Sequence, residues 1–127
     1  MTSDAPRPTP SELQILEVIW ELGPSTVRAV HAHLARGHAS GYTTVLKLMQ
    51  IMHQKGLLVR DESSRTHVYR ATQAKERTRE RLVRDLIDRA FAGSAARLVQ
   101  SVLDDQRASP EEIAQIRALI EASEEER

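Results

Sequence analysis

One stretch decides how this chain folds: YTTVLKLMQIMHQKGLLVRDESSRTHVYRA, residues 42–71. Apolar residues recur in its first half at i, i+3, i+4 and i+7, which is the spacing of a helix with one apolar face. They are Val45, Leu48, Met49 and Met52. Gly56 ends this pattern, and beyond it residues 57–61 and 66–71 are rich in β-formers around a polar turn. The stretch therefore predicts a helix followed directly by a β-hairpin.

Two further helices are predicted on the N-terminal side of this stretch. Thr9 and Glu12 form a capping box around Pro10, which fits the first helical position. Gly23 is expected to end the first helix, and Ser25 is expected to cap the second. The apolar stripes of the two helices are Leu13, Leu16, Ile19 and Trp20, and then Val27, Val30 and Leu34.

Three more helices are predicted after the hairpin, from residue 74 onward. Gly93 interrupts the first of them, a second follows over residues 94–105, and Ser109 and Glu112 repeat the capping box at the start of the third. We therefore expect a mainly α protein with a small β-hairpin wing. Residues 1–73 would form a winged helix-turn-helix domain and residues 74–127 a separate helical domain.

Composition limits the class of protein. The chain has 127 residues, of which 40% are hydrophobic, so it can form one compact domain with an appended helical segment. It has no cysteine, which excludes disulfides and cysteine-based metal sites. No apolar run approaches the roughly 18 residues of a membrane span, and no signal peptide is evident, so we expect a cytoplasmic protein without a membrane partner.

The distribution of charge favours a nucleic-acid partner, although the net charge is zero. Residues 42–71 carry five basic residues against two acidic ones. In a helix-turn-helix, the N-terminal part of the second helix of the motif enters the major groove, and a wing can reach a phosphate or the minor groove. The residues expected to contact double-stranded DNA are Tyr42, Thr43, Thr44, Lys47, Arg65 and His67.

Taken together, five segments resemble the penicillinase-repressor (BlaI/MecI/CopY-type) family. The resemblance covers residues from about 10 to 121, nearly the whole chain. Each segment alone is a weak signal, but their order and spacing are specific. They are ELQILEVIW at 12–20, TVR at 26–28, YTTV at 42–45, KGLL at 55–58 and HVYR at 67–70.

The resemblance implies a homodimeric transcriptional repressor that binds a pseudo-palindromic operator through its third helix and wing. It also implies that the C-terminal helices form the dimerisation domain, which their apolar content supports, because one slender tail cannot hide so many aliphatic side chains. The residues expected at the dimer interface are Leu82, Leu86, Phe91, Leu98, Val102, Leu103, Ile113, Ile116, Leu119 and Ile120.

Two features depart from the family pattern. The copper-responsive branch of the family uses a C-terminal cysteine cluster, which this chain lacks. Members of the β-lactam branch are inactivated by proteolysis, typically at an Asn-Phe bond, and residues 98–103 (LVQSVL) lack that pair. These departures exclude cysteine-based copper sensing and give no support to cleavage at such a bond. A regulatory protease or sensor protein is kept as a candidate partner.

The alternative to a DNA-binding repressor is a winged helix that binds another protein without sequence-specific DNA binding, because the fold alone does not fix the function. No catalytic motif is present, so an enzyme is not expected. No cofactor or metal is expected either, because His31 and His33 point to nearly opposite faces of a helix and His38 lies in a loop. Trp20 and Tyr69 fall on apolar stripes and are expected to pack in the core.

Overall fold

The computed structural model describes residues 7–35 and 41–127. The predicted loop that contains His38 lies outside the described residues. The chain divides into two compact units, Met1–Leu82 and Val83–Arg127. This division falls within a helix, later than the boundary at Gln73 that we expect from the sequence, and the domains 1–73 and 74–127 stay a prediction.

The first unit contains three helices and a two-stranded antiparallel sheet, and a fourth helix begins in it. We call the two strands and their connecting turn the wing. The elements are α1 (Pro10–Leu22), α2 (Val27–Leu34), α3 (Tyr42–Lys55), β1 (Leu58–Asp61), β2 (Val68–Ala71) and α4 (Lys75–Ala90).

Side chains from all three helices and both strands form one core. Tyr69, Met49, Met52 and Val30 are at most 2% exposed. Each large apolar side chain buried in this way contributes about 1.5–3 kcal/mol. Tyr69 is in the core, as expected, and Trp20 packs against the core cluster. The remaining buried apolar residues are Ile15, Leu16, Val18, Ile19, Val27, Val45, Leu57 and Leu58.

The wing is tied to the segment between α1 and α2 by backbone pairing. Leu58 pairs with Ala71 and Asp61 with Val68 within the hairpin. On the other side of β2, Ser25 and Tyr69 exchange two N–H to carbonyl hydrogen bonds, each 2.8 Å long. The wing therefore does not stand free of the helices.

This pairing corrects the prediction that Ser25 caps α2. The N-cap of α2 is Thr26, whose hydroxyl accepts a hydrogen bond from the Ala29 N–H at 3.1 Å. Ser25 is buried, its backbone pairs with Tyr69, and its hydroxyl donates to the Gly23 carbonyl at 2.7 Å. A long-range strand contact thus moves the cap by one residue.

Both strands begin later than the alternation of the sequence predicts. Gly56 adopts a left-handed conformation (φ 88°) after α3, and the Leu57 N–H donates to the Met52 carbonyl at 2.9 Å. Leu57 therefore completes the C-terminal cap of the helix, and the ladder starts at Leu58.

Glu12 is the one buried acidic residue among those the structure describes, with 3% exposure. It completes the predicted capping box, because its Oε1 accepts a hydrogen bond from the Thr9 N–H at 3.0 Å. The same oxygen lies 2.7 Å from Lys55 Nζ at the end of α3. A single carboxylate therefore joins the start of α1 to the end of α3.

The segment before α4 and the first turns of α4 are bound to α1 by two side-chain contacts. The Trp20 indole N–H donates to the Gln73 carbonyl at 3.0 Å, and an Arg79 guanidinium nitrogen lies 3.4 Å from a Glu17 oxygen. These contacts explain why the first unit extends beyond Gln73.

The second unit contains the rest of α4 together with α5 (Ala95–Asp104) and α6 (Pro110–Glu125). As predicted, Gly93 (φ 81°) follows the end of α4, and Ser109 and Glu112 form the capping box of α6. None of the residues of Val83–Arg127, all of which are described, is buried. This unit by itself has no enclosed core.

In the described part of the chain, no helix combines the length and the apolar character that crossing a membrane requires.

The contribution of Glu12 to the stability of the fold can be measured with two substitutions. Glu12→Ala removes a capping hydrogen bond and leaves the half-exposed Lys55 without its partner, so we expect the free energy of unfolding to fall by about 2 kcal/mol. Glu12→Gln can keep the capping hydrogen bond and loses only the charge, so it should cost about half as much. Urea titration followed by the fluorescence of Trp20, the single tryptophan, measures both.

Glu17→Ala is the matched control. Glu17 is on the same helix and also pairs with a distant cation, but both of its partners are more than half exposed. Its loss should cost under about 0.5 kcal/mol. Equal effects of Glu12→Ala and Glu17→Ala would contradict the role given to the buried carboxylate.

Candidate nucleic-acid interface

Helix α3 has one buried face and one exposed face. Val45, Met49 and Met52 are at most 1% exposed and hold the helix against the core. On the opposite side, Thr43, Lys47, Gln50 and Gln54 are exposed at i, i+4, i+7 and i+11. We call these four residues the outer stripe of α3.

The N-terminus of α3 is also available. Its N-cap is Gly41, which offers no side-chain hydrogen bond to the first turn. Helix N-terminal N–H groups carry partial positive charge and favour anions such as phosphate. Tyr42 and Thr44 are exposed in this first turn, and the Tyr42 ring lies edge-on to His31 of α2, with 5.8 Å between the ring centroids.

The six predicted DNA-contacting residues all lie in the first unit. Four of them, Tyr42, Thr43, Thr44 and Lys47, are brought together as exposed residues on the first two turns of α3. Arg65 is exposed in the turn of the wing, and His67 is half-buried just before β2. Their contacts with DNA stay a prediction.

The structure reduces the number of available cations in the basic stretch 42–71. Lys55 pairs with Glu12, and an Arg60 guanidinium nitrogen lies 2.7 Å from a Glu62 oxygen. Lys47 and Arg65 form no ion pair with any residue that the structure describes. The two cations that we predict at the interface are thus among the three left for an external anion, the third being the exposed Arg70 on β2.

The electrostatics of the wing turn are set by local hydrogen bonds. The Asp61 carboxylate accepts a hydrogen bond from the Ser63 N–H at 2.9 Å, which lowers the pKa of Asp61. The Arg60 guanidinium, by hydrogen bond and charge, lowers the pKa of Glu62, and the Tyr69 hydroxyl and Glu62 raise the pKa of Arg60. Both acidic groups of the turn are therefore held as carboxylates and engaged within the wing.

The sequence analysis did not single out Arg28 on α2 or Gln50 on α3. Both are exposed on the two helices that carry no acidic residue. A signal was present: the chain has no acidic residue between Glu21 and Asp61. Helices α2 and α3 therefore carry only neutral and basic side chains. In helix-turn-helix proteins, the first helix of the motif crosses the DNA backbone, where an arginine can contact phosphate.

The histidines do not assemble a metal site in the described residues. His31 packs against Tyr42, and His33 Nε2 lies 3.6 Å from a Glu21 oxygen. Throughout residues 7–35 and 41–127, no group of three or more potential ligands is close enough to hold a metal ion.

Comparisons with known proteins agree with this geometry. The chain matches the family described as penicillinase repressor over residues 8–122. It is similar in fold to the solution structure of the monomeric form of Bacillus licheniformis BlaI in complex with the blaP half-operator. The TM-score is 0.51 and the identity 20%, over 59% of this chain and 92% of that chain. Comparison with curated proteins found no match.

These findings confirm three of the predictions made from the sequence. The family resemblance is confirmed by the match over residues 8–122. The mainly α fold with a hairpin wing is confirmed by the element order and by the similar structure. Members of this family are transcriptional regulators, so the prediction that the chain is not an enzyme is also confirmed.

The ion pair of Arg60 with Glu62 in the wing can be tested by titration of the Glu62 carboxyl group. A carboxylate with a lowered pKa stabilises the fold fully above its ordinary pKa, 4.5 for Glu62, and loses that effect as the pH falls through the lowered value. We expect Arg60→Ala to raise the pKa of Glu62 towards 4.5, measured by NMR titration of the side-chain carboxyl carbons.

Asp61 provides the internal control for this measurement. Because the Ser63 N–H lowers its pKa, the Asp61 titration should stay low in Arg60→Ala. If Glu62 titrates identically with and without Arg60, the Arg60–Glu62 pair does not form in solution.

Proposed function

The chain belongs to the penicillinase-repressor family, and we propose that it is a homodimeric transcriptional repressor that binds a pseudo-palindromic operator through α3 and the wing. The observation that carries this proposal is the outer stripe of α3, on a helix without acidic residues that the core holds rigidly from behind. The proposal places the protein in the cytoplasm, where its operator would be.

The first part of the proposal is direct contact with DNA. Thr43 and Thr44 offer hydroxyls, and Lys47 an ammonium group, on the first turns of a helix of suitable position for the major groove. Arg65 at the turn of the wing would contact phosphate or the minor groove beside it. The BlaI relative in complex with a half-operator supports this arrangement.

The second part of the proposal is dimerisation through the second unit. Leu86, Leu103, Leu119 and Ile120 are 44–69% exposed in the single chain, and two valines near them in the sequence are also exposed, Val83 at 49% and Val99 at 40%. Phe91, Leu98, Val102, Ile113 and Ile116 are half-buried. Leu82, half-buried at the end of the first unit, is the remaining residue proposed for this interface.

A second copy of the chain is the occupant that we propose for this surface. Aliphatic side chains left exposed along three helices are typical of an interface, and obligate dimer interfaces are rich in such residues. The unit has no buried residue of its own, so association would give it the core that it lacks. Two joined DNA-binding units match the two-fold symmetry of a pseudo-palindrome.

The proposal predicts how single cations contribute to binding. The operator would first be selected from a randomised duplex library with the purified protein. We expect Lys47→Ala to weaken binding to that operator on the order of tenfold, which corresponds to a lost contact of roughly 1–3 kcal/mol. Arg65→Ala should weaken binding and also lower the slope of log K against log salt by about one. Fluorescence anisotropy over a range of salt measures both quantities.

Lys75→Ala is the control, because this lysine lies at the start of α4 rather than on α3 or the wing. The operator affinity of Lys75→Ala should stay within a factor of about two of that of the unsubstituted protein, because surface substitutions usually have effects of this size. Unchanged affinity of both Lys47→Ala and Arg65→Ala would contradict the interface. Binding of a protein partner with no salt-dependent DNA binding would instead favour the interaction module.

A second experiment, in the 127-residue chain, tests the proposed dimer. Leu119 and Ile120 are 69% and 53% exposed in one chain, so the double change Leu119→Glu, Ile120→Glu should leave the chain folded. Buried in a dimer, these carboxylates would lack partners, so the protein should sediment as a monomer. Its operator affinity should fall by a factor on the order of 10² or more, because the second docking event is no longer intramolecular.

The matched control adds the same charge to the opposite side of α6. Ala114→Glu with Ala118→Glu alters two exposed residues opposite the apolar stripe, so the dimer and its affinity should be retained. A dimer that survives Leu119→Glu, Ile120→Glu would show that α6 does not form the interface.

A further inference from the structure

Gln50 is one of two residues of the outer stripe, with Gln54, to which the predicted interface gives no role. It is exposed in the middle of α3, one turn beyond Lys47 on the same side of the helix. Its amide makes no hydrogen bond to any residue in the described parts of the chain. Three residues that face the core, Val45, Met49 and Met52, fix the rotation of the helix and therefore the direction in which Gln50 points.

The chemistry of the side chain limits what it can recognise. A glutamine amide presents a donor and an acceptor side by side, which matches the N6 amino group and N7 of adenine in the major groove. Lysine is only a donor and is suited to O6 and N7 of guanine. Lys47 and Gln50 on one stripe thus offer two different base preferences.

The spacing of the two residues determines where these preferences fall. Three helical residues rise by about 4.5 Å, close to the roughly 3.4 Å between stacked base pairs. We propose that Gln50 recognises adenine in an A·T pair of each half-site, next to the base pair that Lys47 contacts. This inference rests on the proposed function, because it requires α3 to lie in the major groove.

Gln54 shares the stripe but differs in position. It lies in the last turn of α3, beside Lys55 and the Gly56 cap, whereas the base contacts of such helices come from their N-terminal part. Gln54 therefore serves as the control residue, with the same side chain on the same face of the same helix.

Three variants of the 127-residue chain test the inference: Gln50→Ala, Gln50→Glu and Gln54→Glu. Each is used with the unsubstituted protein to select sites from a randomised duplex library of about 30 base pairs, and affinities are then measured for the selected operator and its single-base-pair variants. Circular dichroism checks that each variant is folded, which the exposure of both glutamines favours.

We expect Gln50→Ala to lose discrimination at one A·T pair in each half-site by roughly tenfold, with the other positions unchanged. Gln50→Glu should shift the preference at that same pair towards cytosine, because a carboxylate accepts a hydrogen bond from the cytosine amino group. Gln54→Glu should weaken binding to all sites equally, through repulsion from phosphate.

Two results would overturn the inference in distinguishable ways. If the unsubstituted protein selects an operator and both Gln50 variants keep its base preferences, Gln50 has no specificity role while the repressor function stands. If the unsubstituted protein selects no sequence from the library, the proposed function fails and the inference fails with it.

Discussion

The orientation of α3 depends on the carboxylate of Glu12. Apolar packing of Val45, Met49 and Met52 fixes the rotation of α3, but it is non-directional and does not tie the end of the helix to a particular point. Glu12 adds direction, because one oxygen accepts hydrogen bonds from both the Thr9 N–H and Lys55 Nζ. A buried carboxylate with these partners costs several kcal/mol if its cation moves away. The first turn of α1 and the last turn of α3 are therefore held at one point.

The same interaction shapes the charge of the surface. Lys55 is used inside the fold and Arg60 within the wing, so neither is available to an external partner. What distinguishes the α2–α3 surface is the absence of acidic side chains between Glu21 and Asp61 rather than an excess of cations. Because exposed charges farther apart than about 10 Å are largely screened, a chain with zero net charge can still present a locally favourable surface to DNA.

Local patterns predicted most of the fold, and long-range contacts account for what they missed. Both capping boxes, the end of α3 at Gly56 and the hairpin depend on residues close in sequence, and each was predictable. The pairing of Ser25 with Tyr69 and of Glu12 with Lys55 joins residues far apart in the chain, and no local pattern indicates either. Residues of the candidate interface were predicted on α3, between Tyr42 and Lys47, and in the wing, at Arg65 and His67, and their DNA contacts stay a prediction. Gln50 was missed because polar exposure on a helix is ordinary and its meaning depends on the stripe.

The two units divide the work of the proposed repressor between them. All the buried residues that the structure describes belong to the first unit, which contains the wing and α3, and none belongs to Val83–Arg127. The base recognition that we propose would therefore be complete within one folded unit, without a partner subunit to give that unit its shape. The second unit, with exposed aliphatic side chains and no core, would add affinity by linking two recognition units without touching a base. Changes on α3 should then alter which sequence is bound, whereas changes on α6 should alter how tightly any operator is held.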